Sequence, residues 1–254
     1  MPHDDSQLTA KIAAGEKFGP DDALSAAYRG EVMRLMAVFV DSELAGAAGF
    51  VTIINQAPGL DERIGMARLV SEKFAHGRDV LAVMEAFGAN PSLYVRSHSW
   101  AARLDRSIDL GARRIGGDKR LNVFHYPVEG WTDALMLILT MGAATAIQMA
   151  ELTDCSYAPL AAIMDPIVGR ESEHAQFAED RLSTLLAENG RAAAQASADY
   201  WLPRVAATFG RMESDRVDVL RAYGLRRRSN AELLGTWRDA IKNKLDKLGL
   251  THPS

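Results

Sequence analysis

A glutamate and a histidine three residues apart are the side chains of this sequence best suited to chemistry. Glu171 and His174 lie in a stretch with a helical pattern, where this spacing places both on one face. A carboxylate and an imidazole so placed can bind the same metal ion. In helix bundles that hold two ions, a Glu-x-x-His occurs on two helices, and each is matched by a lone carboxylate on a partner helix. The sequence should therefore contain a second half of the site.

The second half is present in altered form. Glu43 lies in a helical run and His76 follows about thirty residues later, but the position three before His76 is Lys73. In the other half, the position that corresponds to Glu43 is Gly142. Two of the six ligand positions expected for a pair of ions are therefore altered. The predicted metal ligands are Glu43, His76, Glu171 and His174.

Lys73 leaves two interpretations open. Its buried ammonium could neutralise Glu43 and Glu171 without metal, or its stem could carry the charge outward and leave the metal site intact. Glu72, four residues before His76 and on the same face, could supply the missing carboxylate. Gly142 predicts either tight helix packing or an opening for substrate. We predict catalytic roles for Glu43, Glu72 and Lys73.

The elements that must position these residues are all predicted to be helices. Apolar residues spaced three and four apart predict helices over 23–54, 61–87, 92–110, 192–223 and 230–248, and a helical hairpin over 131–188 that Asn189 and Gly190 close. We expect Asp21 or Asp22 to cap the first helix and Asn230 the last. The chain is predicted to be all-α, with two antiparallel hairpins that form a four-helix bundle around the site. We expect a tail over 1–20 and a single domain over 21–254, with its core bundle at about 23–188 and extra helices at about 192–248.

Composition restricts the class of protein and its surroundings. The formal charge of −4 is made of interspersed charges of both signs, which argues against a nucleic-acid partner. The single cysteine, Cys155, excludes an intrachain disulfide and favours a reducing compartment. The first residues lack the pattern of a signal peptide, so we expect a cytoplasmic protein. The apolar run 134–150 is short and is bracketed by Asp133 and Glu151, which predicts a core helix rather than a membrane span.

A few polar residues stand outside this scheme. The basic run Arg226–Arg228 predicts a solvated turn, with a phosphate-bearing ligand as the alternative. His98 and His125 have no partner that the sequence indicates.

Several short motifs give the chain a family resemblance over roughly 22–210. It resembles the phenylacetic acid catabolic family of ferritin-like di-iron proteins, and the motifs of 124–175 are the most specific part of the match. The residues that carry the resemblance are Ala27-Tyr28-Arg29, Ser42-Glu43, Ala75-His76-Gly77, Phe124-His125-Tyr126-Pro127, Trp131-Thr132-Asp133, Ser156-Tyr157-Ala158-Pro159 and Glu171-Ser172-Glu173-His174.

The resemblance implies a ferritin-like four-helix bundle with additional C-terminal helices. It also implies an oxygenase that epoxidises an aromatic or other acyl substrate carried as a CoA thioester, with iron, dioxygen and electrons from a separate reductase. A homo- or hetero-oligomer with a non-catalytic sister subunit is expected. In this resemblance Lys73 replaces a bridging-type Glu and Gly142 replaces an Asp, so the sequence leaves open two irons, one or none. The alternative function is a metal-free relative that serves as a scaffold subunit.

Overall fold

The structure, a computed structural model, describes residues 5–111, 113, 115–188 and 190–252, so the first four residues of the predicted tail and Asn189 lie outside the described residues. Within these residues the regular structure is helical, as predicted for an all-α chain. The α-helices are α1 (Asp5–Ala13), α2 (Ala26–Val51), α3 (Leu60–Glu85), α4 (Pro91–Ser97), α5 (Trp131–Met149), α6 (Ala158–Ala187), α7 (Arg191–Ala206), α8 (Asp215–Ala222) and α9 (Asn230–Leu248). Short 3-10 helices cover Thr52–Gln56, Asn122–His125 and Ala207–Phe209.

Four long helices make the bundle. The hairpin of α2 and α3 and the hairpin of α5 and α6 each pack closely, and α3 packs against α6 to join them. The short connections make the helices of each hairpin antiparallel, whereas a long crossover over 86–130 joins the hairpins. The additional helices α7 and α9 cover α5. The predicted ferritin-like four-helix bundle with C-terminal helices is confirmed.

The caps of α2 and α9 differ from those predicted. Ser25, with an extended backbone, caps α2 by accepting a hydrogen bond from the Tyr28 amide at 3.1 Å. Asp22 instead accepts a hydrogen bond from the amide of Gly19 in the preceding turn. Ser229 rather than Asn230 caps α9, and it forms a capping box with Glu232. Both predictions are wrong because the nearest serine, not the nearest acid or amide, has the required backbone geometry.

Two predicted helices are wrong in length. The helix predicted over 92–110 ends at Ser97, because the carbonyls of Ser99 and Ala102 accept hydrogen bonds from the buried Arg120 side chain instead of from helical amides. The helix predicted over 192–223 is broken into α7 and α8. Gly210, at φ 81°, turns the chain between them. By contrast, α6 runs without a break through Pro166, and Pro159 lies in its first turn.

The apolar helices α2 and α5 are core helices. Within the described residues they alone are long and apolar enough to cross a membrane by length and composition. Most of the apolar surface of each is buried, and α5 is enclosed by α6, α7 and α9. The structure therefore gives the run 134–150 the packing that was predicted from Asp133 and Glu151 at its ends.

Candidate metal centre

Three bundle helices bring six polar residues to one place. Glu43 comes from α2, the run 72–76 from α3, and Glu171 and His174 from α6. Their side chains form one continuous network in the order Glu72, His174, Glu171, Lys73, Glu43, His76. All but Glu72 are buried. The residues that the sequence indicated as ligands or catalytic groups therefore lie together, and their function remains a proposal.

The Lys73 ammonium lies between the two carboxylates. Its Nζ is 3.2 Å from Glu43 Oε1 and 2.8 and 3.0 Å from the two carboxylate oxygens of Glu171. Burial opposes the charge, but the carboxylates of Glu171 and Glu43 outweigh it and raise the pKa of Lys73 above its ordinary value. The pKa of Glu171, which burial alone would raise, is held well below its ordinary value by Lys73. Of the two interpretations left open by the sequence, the outward-pointing lysine is excluded.

His76 faces the same carboxylates from the other side. Its Nδ1 is 3.2 Å from Glu43 Oε2 and 3.5 Å from Glu171 Oε1. Burial lowers the pKa of this imidazole, and the hydrogen bonds to Glu171 and Glu43 outweigh that effect and raise the pKa to about 9. Without a metal ion, His76 is therefore a cation near neutral pH.

Glu72 and His174 connect the cluster to the surface. His174 Nε2 is 2.7 Å from Glu72 Oε2, and His174 Nδ1 is 3.4 Å from Glu171 Oε1. Because the two ring nitrogens point in different directions, Glu72 lies across the imidazole from Glu171. Glu72 also accepts a hydrogen bond from Arg68, and its side chain is 22% exposed. Burial raises the pKa of Glu72, but the hydrogen bonds from Arg68 and His174 lower it below its ordinary value.

The donor atoms fit one metal ion. Glu43, His76 and Glu171 each offer an atom, and these atoms lie within 4.8 Å of one another. Two carboxylates and one imidazole are a donor set suited to a first-row transition metal such as iron, with coordination positions left open. Glu72 is outside this group because its nearer oxygen is bound to His174.

The donor atoms do not fit a second ion. Gly142, on α5, has no side chain, and a Cβ built there would lie 3.1 Å from the Glu171 carbonyl oxygen and 3.3 Å from Ala175 Cβ. The helices α5 and α6 thus touch at this level, and the interpretation of Gly142 as an opening for substrate is wrong. The cavity that remains beside Gly142 and Lys73 measures only about 10 Å³.

A larger cavity opens beside Glu43. It has a volume of about 290 Å³ and reaches from Ser42 and Glu43 between α2 and α5 to the segment that links α7 to α9. Near Glu43 its walls are apolar or aromatic, from Phe39, Leu121, Phe124 and Met141. At the other end are exposed residues, so the buried end of the cavity is the one next to the charged cluster.

The outer end of the cavity is cationic. Its lining includes Arg34, Arg211, Arg216 and the half-buried Arg226. Among the described residues, neither Arg226 Nη2 nor Asn230 Oδ1 has a hydrogen-bond partner, although both atoms are buried. Burial lowers the pKa of Arg226. The sequence did not indicate this site.

The predicted solvated turn at Arg226–Arg228 is only partly correct. Arg227 is exposed, whereas Arg228 forms an ion pair with the buried Glu151 at 2.8 Å. Arg226 lines the cavity instead. Three adjacent arginines therefore have three environments, which a count of basic residues could not separate.

A second buried charge cluster was missed because a loop supplies most of it. His98 Nε2 lies 3.3 Å from the Asp41 carbonyl oxygen and 3.5 Å from Asp118 Oδ2. Asp118 also binds the guanidinium of Arg120 through both of its oxygens, at 2.5 and 2.8 Å. The Lys119 amide donates a hydrogen bond to Asp41 Oδ2. His98 thus has partners that no sequence spacing indicated.

A four-helix bundle with a carboxylate–histidine cluster between its helices, reached by a cavity, is the arrangement of the ferritin-like proteins that bind metal ions in the bundle core. The model of the phenylacetic acid catabolic protein family matches residues 16–254, and the chain belongs to this family. One component of the 1,2-phenylacetyl-CoA epoxidase of Escherichia coli (strain K12) is a similar protein. The two are 24% identical over 255 residues, which cover 98% of this chain and 77% of the relative. The resemblance drawn from the motifs is confirmed.

Proposed function

We propose that this protein is the catalytic subunit of an oxygenase that acts on an acyl substrate with an anionic group, related to the Escherichia coli epoxidase. The observation that carries the proposal is the cavity that joins Glu43 in the carboxylate–histidine cluster to the arginines of its outer end. A cavity with one apolar end at a reactive cluster and one cationic end at the surface suits an amphipathic ligand bound in one orientation.

The cavity supports an acyl-CoA thioester as the substrate class. The apolar walls of Phe39, Phe124 and Met141 can pack against an aromatic or alkyl acyl group. The cations of the outer end, with Arg226 Nη2 lacking a partner, can pair with phosphate groups. The name of the relative specifies phenylacetyl-CoA. We carry over that chemical class rather than that compound.

Iron is the proposed cofactor, and Glu43, His76 and Glu171 would hold it. When bound there, iron supplies the activation of dioxygen, which the side chains of this site cannot perform. In the proposed reaction a carbon–carbon double bond of the acyl group and one oxygen atom of dioxygen form an epoxide. The second oxygen atom leaves as water, with two protons and with two electrons from an external reductant.

The residues of the chain would place the substrate and deliver protons. Packing against Phe39, Phe124 and Met141 would hold the acyl group next to Glu43 and exclude water from it. The partly exposed Glu72 would exchange protons with solvent and pass them through Nε2 and Nδ1 of His174 toward Glu171. Glu72 and Lys73 then have distinct catalytic functions, proton transfer for Glu72 and positioning of two carboxylates for Lys73.

A metal-free scaffold subunit is the competing proposal. The ion pairs of Lys73 favour it, because one ammonium already neutralises part of the charge of Glu43 and Glu171. The three donor atoms that face His76 favour a metal protein instead. A reductase, a cytoplasmic location and a second subunit complete the proposal, and the free, buried thiol of Cys155 suits a reducing compartment.

A single-turnover experiment tests the oxygenase proposal. Protein loaded with Fe(II) without oxygen is mixed with phenylacetyl-CoA, dioxygen and dithionite-reduced methyl viologen, and the product is analysed by mass spectrometry. We expect a product heavier by one oxygen atom. Met141→Trp should fill the apolar end of the cavity and reduce product formation by about tenfold or more while iron content is unchanged.

Met212→Trp is the matched control, because Met212 is exposed and lies outside the cavity. It should behave as the unaltered protein does. Product formation that survives Met141→Trp would reject this cavity as the substrate site. The absence of oxygen transfer from iron-loaded protein to phenylacetyl-CoA and a series of other aromatic and aliphatic acyl-CoA thioesters would overturn the proposed function.

A further inference from the structure

The two carboxylates at the centre of the bundle divide their oxygen atoms between two cations. Glu43 directs Oε1 to Lys73 Nζ and Oε2 to His76 Nδ1. Glu171 places both oxygens within hydrogen-bond distance of Lys73, and its Oε1 is also 3.5 Å from His76. The carboxylate pair thus has one side occupied by an ammonium and one side that faces an imidazole.

The side that faces His76 has the donors for an ion. Glu43, His76 and Glu171 converge there, with their ligand atoms within 4.8 Å of one another. A transition-metal ion has ligands at about 2.0–2.2 Å, so atoms this far apart can bind the same ion. Lys73 does not have to leave its place for such an ion to bind, because Glu43 Oε2 and His76 Nδ1 are not its partners.

The side occupied by Lys73 lacks the donors for an ion. His174 Nε2 is bound to Glu72, and only its Nδ1 is directed to the cluster. Gly142 offers no ligand, and its backbone is in contact with Glu171 and Ala175. An ion there would have two donors, Glu171 and His174, and would also lie against the positive charge of Lys73.

Lys73 is held in place by its surroundings. The residue is 6% exposed, and a cavity of about 10 Å³ is the free space at this level of the bundle next to Gly142. A cavity of this size holds at most one water molecule and cannot accept a lysine side chain in a new position. The ammonium therefore remains where it is whether or not an ion binds beside His76.

We propose that the centre is a mixed-cation site, with one transition-metal ion held by Glu43, His76 and Glu171 and the Lys73 ammonium in the place of a second ion. The inference rests on the proposed function for the identity of the metal as iron. It differs from that proposal in what it measures, which is the number of ions per chain rather than oxygen transfer. Lys73 is a positioning residue in this site, because it acts on the ion through Glu43 and Glu171.

Metal stoichiometry tests the inference. Apo-protein is titrated with Fe(II) without oxygen, and bound metal is counted by elemental analysis after gel filtration. We expect one ion per chain in the unaltered protein and none in His76→Ala. Lys73→Glu should bind two ions, because a carboxylate at position 73 joins Glu171 and His174 as a third donor.

Lys244→Glu is the matched control, since Lys244 forms a partly buried ion pair with Glu179 away from the site and its change should leave one ion per chain. Lys73→Met provides a second measurement if Lys73→Glu does not fold. Because it removes a cation next to the ion, it should tighten Fe(II) binding by about tenfold or more in competition with a chromogenic chelator.

Two ions or none in the unaltered protein would overturn the inference. One ion in Lys73→Glu together with unchanged affinity in Lys73→Met would also overturn it. These counts need neither substrate nor dioxygen. A protein with one ion per chain that transfers no oxygen would refute the proposed function and leave the mixed-cation site standing.

Discussion

Two buried charge clusters lie on different faces of α2, one around Glu43 and one around Asp41. Their composition is nearly the same, since each contains two carboxylates, one permanent cation and one histidine. The cluster in the bundle consists of Glu43, Glu171, Lys73 and His76, and the cluster under the crossover consists of Asp41, Asp118, Arg120 and His98.

The clusters differ in what binds their polar atoms. In the crossover cluster, backbone groups take part, because the Lys119 amide binds Asp41 and the Arg120 guanidinium binds the carbonyls of Ser99 and Ala102. The bundle cluster is made of side chains alone and borders the cavity at Glu43. Equal residue types therefore have a structural role where they tie down backbone, and they can have a functional role where a ligand can reach them.

Arg120→Met should produce the largest loss of stability. It leaves Asp118 buried without its cation and two carbonyls without their donor, so the free energy of unfolding should fall by about 3–5 kcal/mol. Urea denaturation measures the loss, and iron content should not change in the folded fraction. Arg78→Met, which breaks an exposed pair with Asp79, is the control and should change stability by less than about 0.5 kcal/mol. A small effect of Arg120→Met would show that the crossover is not held by this cluster.

Lys73→Met should destabilise the protein in a way that metal reverses. Without metal, the loss of the cation between Glu43 and Glu171 should cost about 3 kcal/mol. Iron should restore most of this stability, because it neutralises the same carboxylates and binds the folded state. The measurement is urea denaturation with and without Fe(II). A loss that iron does not change would contradict the functional interpretation of the bundle cluster.

The two histidines should respond to pH in opposite directions in metal-free protein. The pKa of His76 is raised from 6.5 to about 9, so its contribution to stability is complete below pH 6.5 and is lost as the pH rises through 9. This loss should be on the order of 2–3 kcal/mol. Burial lowers the pKa of His98, so its contribution is present above pH 6.5 and is lost as the pH falls through the lowered pKa.

Urea denaturation across this pH range checks both signs. His76→Gln should flatten the alkaline side of the stability profile, and His98→Asn should flatten the acidic side. A change on the same side in both variants would mean that the two clusters are not electrostatically distinct.

Glu72→Gln should have the smallest effect on stability. Because the Glu72 side chain is partly exposed and its ion pairs are screened by solvent, the free energy of unfolding should fall by about 1 kcal/mol or less. Iron content should remain the same, whereas single-turnover product formation should fall by about tenfold because the proton route is interrupted. A loss of iron in this variant would instead identify Glu72 as a ligand.

The helices of the bundle and the spacing of its polar residues could be predicted from the sequence because both depend on local periodicity. Glu171 and His174 are one helical turn apart, and His76 follows Glu72 and Lys73 on the neighbouring hairpin. The length of the helix predicted over 92–110 could not be predicted, since the segment after Ser97 is fixed by hydrogen bonds from Arg120, which is distant in sequence.

The cavity was beyond sequence analysis for a similar reason. Its walls come from α2, the crossover, α5 and the segment before α9, and no periodic pattern links Phe39, Phe124 and Met141. Arg226 could be recognised as basic, but its half-buried position depends on how the turn before α9 packs. The position of the Lys73 ammonium also required the structure, because the sequence allowed it to point inward or outward.

The close contact of α5 and α6 at Gly142 also limits the evolutionary and engineering paths open to this protein. A site for two ions would need a carboxylate at position 142, yet a Cβ there already lies 3.1 Å from the Glu171 carbonyl oxygen. The helices would first have to move apart, which disturbs the packing of α5 against its other neighbours. Replacing Lys73 alone is a change of one side chain, whereas replacing Gly142 is a change of backbone spacing. The departure from a binuclear centre is therefore held in the frame of the bundle and would not be reversed by restoring single ligands.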